Sequence, residues 1–294
     1  MYFSLTDEEY IRYAIAEGKR FQDSFEIIAL LKKSYESFSN LKVQRIAAFC
    51  AFQMAREYYG VGDFSNSKKL FDGIATLYRQ EGWVTLLWDV LGYLRECSRK
   101  QGAVKDFIEY SLEMAALPVS SDAGGQSRKE SGPAGPASLT QKEVIHNEVF
   151  GLIGAESQLT SSENSTDFKV TEDRPLRLEI DLVSPLRVVL LASIAFHEQV
   201  TKPGSSTPMT LSLRSQLPLT VEVDQLEVQF NQSLCNFIVV NPQRASSGAV
   251  TDSQDSHQAQ TASSLTISSN KWLRLTFDIK SGKSTSSLIL QMSI

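Results

Sequence analysis

The residues best suited to catalysis or metal binding are few, because the chain has three histidines and three cysteines among its 294 residues. Zinc sites draw on three or four His, Cys or carboxylate ligands, commonly at short spacings along the chain. The histidines are His146, His197 and His257, and the cysteines are Cys50, Cys97 and Cys235. Since no two of these have such a spacing, the sequence predicts neither a metal site nor a cofactor site.

Acid–base chemistry has equally little support. His197 and Glu198 are adjacent, but we expect them at the end of a strand, where alternation sends neighbouring side chains to opposite faces. Asp7, Glu8 and Glu9 stand where the first turn of a helix stabilises negative charge. The sequence contains no glycine-rich nucleotide loop, nucleophile elbow or kinase signature. It therefore predicts a protein that is not an enzyme, with no catalytic residues.

Charge and hydropathy exclude further classes of function. The net charge of −5 argues against nucleic-acid binding, which needs clustered Lys and Arg. The longest apolar run, 186–196, contains Arg187 and is too short to cross a bilayer, so we expect no transmembrane segment. The first residues lack a basic start followed by an apolar core, and the cysteine spacing indicates no disulfide framework. Both features favour a cytoplasmic location.

The first third of the chain shows the apolar periodicity of helices, interrupted by glycines. Gly62 and Gly102 are forty positions apart, and an earlier copy at slightly longer spacing would place Gly18 against Gly62. At the forty-residue offset the coinciding pairs are Ala47 with Leu87, Ala51 with Leu91, Met54 with Leu94, Phe64 with Val104, Ile74 with Met114, and Leu77 with Leu117. Repeated helical hairpins bury a core between neighbours and leave extended surfaces for partners. The pattern resembles tetratricopeptide repeats, whose period is about 34 residues, so we predict a divergent TPR-like α-solenoid over 1–118.

Two of the three tryptophans stand in the stretch YRQEGWVTLLWDVL, 78–91. Gly82 is placed to end one helix in a left-handed conformation, and the next helix follows. One face of that helix is predicted to carry Trp83, Leu86, Leu87 and Leu91, with Trp88 nearby. An aromatic stripe at helical spacing is more often core than ligand site, so packing between repeats is favoured over ligand contact.

A segment rich in Gly, Ser, Pro and Ala, 119–138, is predicted to be a flexible linker. Thr140 and Glu143 fit a capping box for an additional helix over 139–158, which could pack on the last repeat. The apolar residues of this helix are Val144, Ile145, Val149, Phe150 and Ile153.

From Phe168 the apolar period changes to two, which is typical of strands with one buried face. Alternating runs begin at Leu176, Met209, Leu219, Leu226, Leu273 and Leu288, which gives about seven short strands. The phase slips by one residue between Val223 and Leu226, which indicates a bulge or a strand that switches sheets. We expect an immunoglobulin-like antiparallel β-sandwich over 168–294, with a disordered loop at about 241–264.

Several segments resemble the foie gras domain family of trafficking protein particle (TRAPP) complex subunits. They are AREYYGVGDFSNSKKLFD at 55–72, YRQEGWVTLLWDVL at 78–91 and KDFIEYSLEMAAL at 105–117. KPGSSTPMTLSLRSQLPLTVEVDQLEVQFN, 202–231, resembles the β-sandwich that follows this domain, and the Gly/Ser-rich interruption suggests a plant version. Members of the family are much longer, and Ile294 is still in phase with the last strand, so we expect the sequence to be part of a longer protein.

The resemblance implies a non-catalytic scaffold subunit of a vesicle-tethering complex in transport between the endoplasmic reticulum and the Golgi apparatus, with a link to autophagy. Its expected partners are other tethering-complex subunits, and it would be peripheral to Golgi membranes through the complex. The alternative is an adaptor whose β-sandwich binds membrane lipid or cargo, which the long loops at the sandwich ends favour. The sequence assigns no partner-contact residue, cargo or oligomeric state.

Overall fold

The computed structural model describes residues 6–20, 23–118, 138–154, 177–180, 184–198, 205–230, 236–241, 258–261, 264–280 and 288–293. The chain divides into two compact units, Met1–Gly82 and Trp83–Ile294, and each is described by itself. Helices come first and strands follow. The predicted fold class, a helical-repeat region followed by β-sheets, is therefore confirmed.

Apart from the first, the described helices pack on neighbours within their unit. The first unit contains α1 (Asp7–Arg20), α2 (Ser24–Asn40), α3 (Gln44–Gly60) and α4 (Phe64–Glu81), and the second contains α5 (Val84–Gln101), α6 (Val104–Ala116) and α7 (Leu139–Gly154). In the first unit α3 packs between α2 and α4, and in the second α6 packs between α5 and α7. Within the described residues, no helix combines the length and apolarity that crossing a bilayer requires.

The turns between helices recur with a shorter period than the sequence predicts. Lys42, Gly62, Gly82 and Gly102 all have a positive φ, and they follow one another at intervals of twenty residues. After each of them a single residue precedes the next helix. Glycine favours this conformation because it has no Cβ to clash with the backbone, and Lys42, with φ 58°, is the exception. The structural unit is thus one helix with its turn, and the forty-residue hairpin contains two such units.

The predicted equivalence of Gly18 and Gly62 is wrong. Gly18 lies inside α1, whereas Gly62 lies in a turn with φ 85°. The forty-residue period instead continues unchanged into the first helices. Asp23 precedes α2 and Asp63 precedes α4, and each carboxylate accepts hydrogen bonds from backbone N–H groups of the first turn. These are N-caps, which satisfy donors that a helix start leaves unpaired.

The other repeat equivalences are confirmed by burial. Buried residues include Ala47, Leu87, Ala51, Leu91, Met54, Leu94, Ile74, Met114 and Leu117, while Leu77 is half-buried. Phe64 and Val104 each begin a helix. Ser67 of α4 is fully buried and donates its hydroxyl to the carbonyl of Ala55 in α3 at 2.9 Å. Small side chains therefore allow α3 and α4 to approach closely.

The strands form three sheets among the described residues. In chain order they are β1 (Arg177–Ile180), β2 (Leu190–Phe196), β3 (Ser206–Ser215), β4 (Val221–Glu222), β5 (Gln225–Phe230), β6 (Phe237–Val240), β7 (Gln258–Thr261), β8 (Thr266–Ile267), β9 (Trp272–Lys280) and β10 (Leu288–Ser293). The sheet orders are β1-β10-β5-β6-β7, β2-β3-β9 and β4-β8. The rings of Phe237 in the largest sheet and Phe277 in the three-stranded sheet lie 5.1 Å apart. This contact is the face-to-face packing expected of a β-sandwich.

The phase slip near Val223 marks a strand that switches sheets, one of the two predicted outcomes. β4 pairs with β8, whereas β5 lies in the five-stranded sheet. Buried Asn241 stabilises the crossing point. Its side-chain amide donates to the carbonyl of Val223 at 3.2 Å, and its backbone N–H donates to the carbonyl of Asp224 at 2.9 Å.

The prediction of a disordered loop over 241–264 is wrong in part. β7 lies within that range and pairs with β6, and this pair is parallel rather than antiparallel. The stretch QAQT has no apolar alternation, but backbone hydrogen bonds alone can add such a strand to a sheet edge. Residues 242–257 and 262–263 lie outside the described ranges.

Candidate interaction surfaces

The structure keeps the residues with catalytic potential apart. His146 is buried in α7, His197 follows β2, and Cys50 and Cys97 are buried thiols in α3 and α5. His257 and Cys235 lie outside the described residues. Within the described ranges, no group of three or more His, Cys, Asp or Glu side chains is arranged to hold a metal ion.

His197 lies at the end of a strand as predicted, directly after β2, and its polar contacts are exposed. Its Nε2 is 2.8 Å from the hydroxyl of Thr210, which in turn is 3.2 Å from the hydroxyl of Thr276. A hydroxyl next to an imidazole can form a nucleophile and base pair, but catalysis also needs a group that orients the imidazole. No described residue bonds to the other ring nitrogen. The arrangement is a surface hydrogen-bond chain.

The acidic run Asp7, Glu8 and Glu9 lies in the first turn of α1, as the sequence predicts, and Glu9 has a further role as a cap. The Glu9 carboxylate accepts hydrogen bonds from the N–H and the hydroxyl of Thr6, both at 2.9 Å. These hydrogen bonds lower the pKa of Glu9 below its usual value. Thr6 and Glu9 therefore form a capping box at the start of the helix.

The capping box predicted for α7 lies two residues earlier than expected, so the assignment to Thr140 and Glu143 is wrong. The N–H of Gln141 donates to the hydroxyl of Ser138 at 3.2 Å, and the N–H of Ser138 donates to the side-chain oxygen of Gln141 at 2.9 Å. SLTQ fits the same sequence pattern as TQKE.

α7 packs on α6 as predicted, with an interface that is partly polar. Ile145 and Val149 are buried, but Val144 is 60% exposed and does not belong to the core. Buried His146 stacks on Phe150, with ring centroids 4.3 Å apart. Burial lowers the pKa of His146 to about 4, so the ring is neutral at pH 7.

α7 carries two further ionisable side chains, of which one is buried and the other is paired. Lys142, one turn before His146, is also buried, and desolvation lowers the pKa of its amino group. Glu148 forms an ion pair with Arg95 of α5. The guanidinium of Arg95 also lies over the ring of Phe107 in α6, 4.9 Å from its centroid.

The tryptophan stretch is only partly as predicted. Leu87 and Leu91 are buried, whereas Leu86 is 45% exposed and lies off the core face. A step of one residue turns a helix by about 100°, so adjacent leucines cannot share one narrow buried stripe. Trp83 and Trp88 are both half-buried. That these two rings pack between repeats stays a prediction.

Several large apolar side chains of the helical region remain in solvent. At the start of α3, Val43, Ile46 and Phe49 are 37%, 45% and 60% exposed and follow one another at three-residue steps. We call these three residues the α3 stripe. Leu86 of α5 lies forty residues after Ile46 and is also 45% exposed. Ile46 and Leu86 thus hold equivalent repeat positions, each exposed within its own unit, and exposed apolar side chains of helical repeats are typical of protein-binding surfaces.

The first 117 residues carry a match to a known family. Residues 1–117 match the family model described as Foie gras liver health family 1. The foie gras resemblance is confirmed for this segment. The matching foie gras segment includes α1 to α6 and therefore the α3 stripe.

The chain is also similar in sequence to subunits of a trafficking protein particle complex. It is 39% identical over 88 residues to trafficking protein particle complex subunit 11 of Gallus gallus and 40% identical over 88 residues to that of Homo sapiens. The subunit of Bos taurus is 39% identical over the same length. Each match covers 30% of this chain and 8% of the relative.

Proposed function

We propose that this chain acts as a non-catalytic scaffold in a vesicle-tethering particle complex, through protein contacts of its foie gras segment. The observation that carries the proposal is the 39–40% identity to relatives named as subunits of a trafficking protein particle complex. Helical repeats suit a scaffold because stacked helices expose long surfaces. Protein binding is assigned to the helices of this segment, α1 to α6, which precede the strands in the chain.

The proposal extends to the cellular setting that the family resemblance implies. The complex would act in transport between the endoplasmic reticulum and the Golgi apparatus, and the chain would lie on the cytoplasmic side, peripheral to Golgi membranes. A link to autophagy belongs to the same proposal. The family resemblance alone supports the transport route, the location at Golgi membranes and the link to autophagy.

Within the foie gras segment, the α3 stripe is the proposed contact for another subunit. Ile46 and Phe49 expose apolar surface that water solvates poorly, and a partner that covers them gains hydrophobic free energy. Arg45 lies beside them and is paired with Glu81 at 3.0 Å. This exposed ion pair holds the start of α3 against the end of α4 and provides a polar rim next to the apolar stripe.

Affinity purification of the tagged full chain from cells tests the proposal. We expect the other subunits of a vesicle-tethering complex to be recovered in defined proportion with the chain. Recovery of the folded chain without any such subunit would contradict the scaffold function.

A second candidate is an adaptor whose β-domain binds membrane lipid or cargo. The observation that favours it is a group of exposed cationic and aromatic side chains around Trp272, at one end of the three-stranded sheet.

A further inference from the structure

The outer face of the three-stranded sheet carries side chains in rows that the strand register defines. The first row is Leu191, Arg214 and Trp272, which lie opposite one another on β2, β3 and β9. The second row is Ser193, Ser212 and Arg274. The inward-facing neighbours on β3, Met209, Leu211 and Leu213, are buried in the sandwich. The rows therefore belong to the opposite face of the sheet, away from the sandwich core.

Cationic groups gather at one end of this sheet. Arg214 and Arg274 stand in the first two rows, and exposed Lys271 lies in the turn that leads into β9 at the same end. We call Arg214, Lys271, Trp272 and Arg274 the basic end. Acidic groups lie at the far end of the sheet, near Pro208 of β3. Asp278 lies opposite Pro208 in the strand register. Glu198 follows His197, whose backbone N–H donates to the carbonyl of Pro208.

Two of the cationic groups of the basic end, Lys271 and Arg274, are exposed, and Arg214 is half-buried. Arg214 uses one terminal nitrogen to donate to the side chain of Asn270 at 3.2 Å, and its Nε is buried. Lys271 and Arg274 form no ion pair with any residue in the described ranges. The basic end is therefore a local concentration of positive charge in a chain whose net charge is −5.

Exposed apolar surface lies in the same row as the positive charge. Trp272 is 46% exposed and Leu191 is 36% exposed, one on each side of Arg214. In the second row Ser193 and Ser212 are short, and Arg274 lies two residues from Trp272 on β9. Tryptophan beside Lys or Arg is the combination found at the headgroup level of bilayers, where the ring enters the interface and the cation meets phosphate.

We propose that the basic end docks this chain on the surface of an anionic phospholipid bilayer. An anionic bilayer attracts each nearby Lys or Arg and also accepts the indole ring, so it uses both features of the site. Nucleic acid would need more cations than these three, because its affinity grows with each phosphate neutralised. The acidic far end would be held away from the bilayer, and the strands would therefore stand with the basic end toward the membrane.

Co-sedimentation of the purified full chain with vesicles tests the proposal. The vesicles contain phosphatidylcholine alone or phosphatidylcholine with phosphatidylserine. We expect binding to the phosphatidylserine vesicles at low ionic strength, with loss of binding as salt screens the charges. Absence of binding to these vesicles, or equal binding to both kinds, would overturn the proposal.

Two variants locate the site. Lys271→Gln with Arg274→Gln should lower the vesicle partition coefficient about thirtyfold, from two charges near the surface. Trp272→Ala should lower it without changing the salt dependence. The matched control is Lys32→Gln with Lys33→Gln, which removes the same charge from exposed positions on α2. An equal loss in the control would contradict the assignment, and so would an unchanged partition coefficient for the Lys271 and Arg274 variant. Retention of the chain on an immobilised acidic peptide, without vesicle binding, would also contradict it. The assay contains no other subunit, so its result is independent of the proposed scaffold function.

Discussion

Arg95 of α5 and Glu148 of α7 form an ion pair between residues 53 positions apart, across the segment that separates α6 from α7. The same guanidinium lies 4.9 Å from the centroid of the Phe107 ring in α6. One side chain therefore contacts both other helices of this group. The Arg95 side chain is only 16% exposed, so the pair is less screened by water than an open surface ion pair.

This pairing predicts that Glu148→Gln loosens α7. Loss of the charge removes the ion pair but keeps the shape of the side chain, and we expect a cost of about 1 kcal/mol. Hydrogen exchange of the α7 amides should then become about fivefold faster if these amides exchange by local opening. Amides of α5 and α6 should change less.

Glu143→Gln is the control for this prediction, because Glu143 lies on the same helix and the described residues show no ion pair for it. An equal acceleration of α7 exchange in both variants would show that the Arg95 contact does not hold the helix.

The twenty-residue spacing of the turns predicts opposite effects for two glycine substitutions. Gly62 has φ 85°, so Gly62→Ala should lower the free energy of unfolding by about 1 kcal/mol through backbone strain. Gly73 lies inside helix α4, and Gly73→Ala should raise the free energy of unfolding by about 0.5–1 kcal/mol. An added Cβ would meet no atom within 4 Å at either position. Steric fit therefore cannot explain the difference.

Denaturant unfolding measures both effects. If Gly62→Ala stabilises the protein as much as Gly73→Ala does, then the positive φ at this turn is not required.

Buried His146 predicts a pH-dependent loss of stability. Burial lowers the pKa of His146 to about 4, whereas an unfolded histidine has a pKa of about 6.5. The unfolded chain therefore binds an extra proton below pH about 6.5. The free energy of unfolding should fall as the pH drops from there toward 4, by at most about 1.4 kcal/mol per pH unit for this one group.

His146→Phe isolates this contribution, since phenylalanine keeps an aromatic ring against Phe150 and does not titrate. The difference in unfolding free energy between the two proteins should depend on pH in that window. A difference that is constant from pH 7 to about pH 4 would contradict the assigned titration.

The forty-residue repeat could be predicted from the sequence because both apolar periodicity and glycine spacing report on it. The twenty-residue turn spacing is present in the sequence at Gly62, Gly82 and Gly102, and Lys42 is the one non-glycine residue in this series of four turns. Gly18 does not mark a turn, because glycine can also lie within a helix at a modest cost. Asp23 and Asp63 are forty residues apart and are the N-caps of α2 and α4, so they give the correct alignment of the two repeats.

Apolar periodicity could not predict which side chains are exposed to solvent. The spacing of Leu86 and Leu87 shows where each side chain points on a helix, but not whether a neighbouring element covers it. The basic end was missed for a related reason, because Arg214 and Trp272 are far apart in sequence and meet only through the register of β3 and β9. β7 was missed because its pairing uses backbone groups.

Ile46→Asp with Phe49→Asp tests most directly whether the α3 stripe binds another subunit of a tethering complex. Both side chains are exposed, so the double variant should keep the unfolding midpoint of the original protein. Val144→Asp, at a position 60% exposed on α7, is the control. We predict at least a tenfold fall in the tethering-complex subunits recovered with the tagged chain, for the double variant alone. Unchanged recovery of those subunits with a folded double variant would contradict the account.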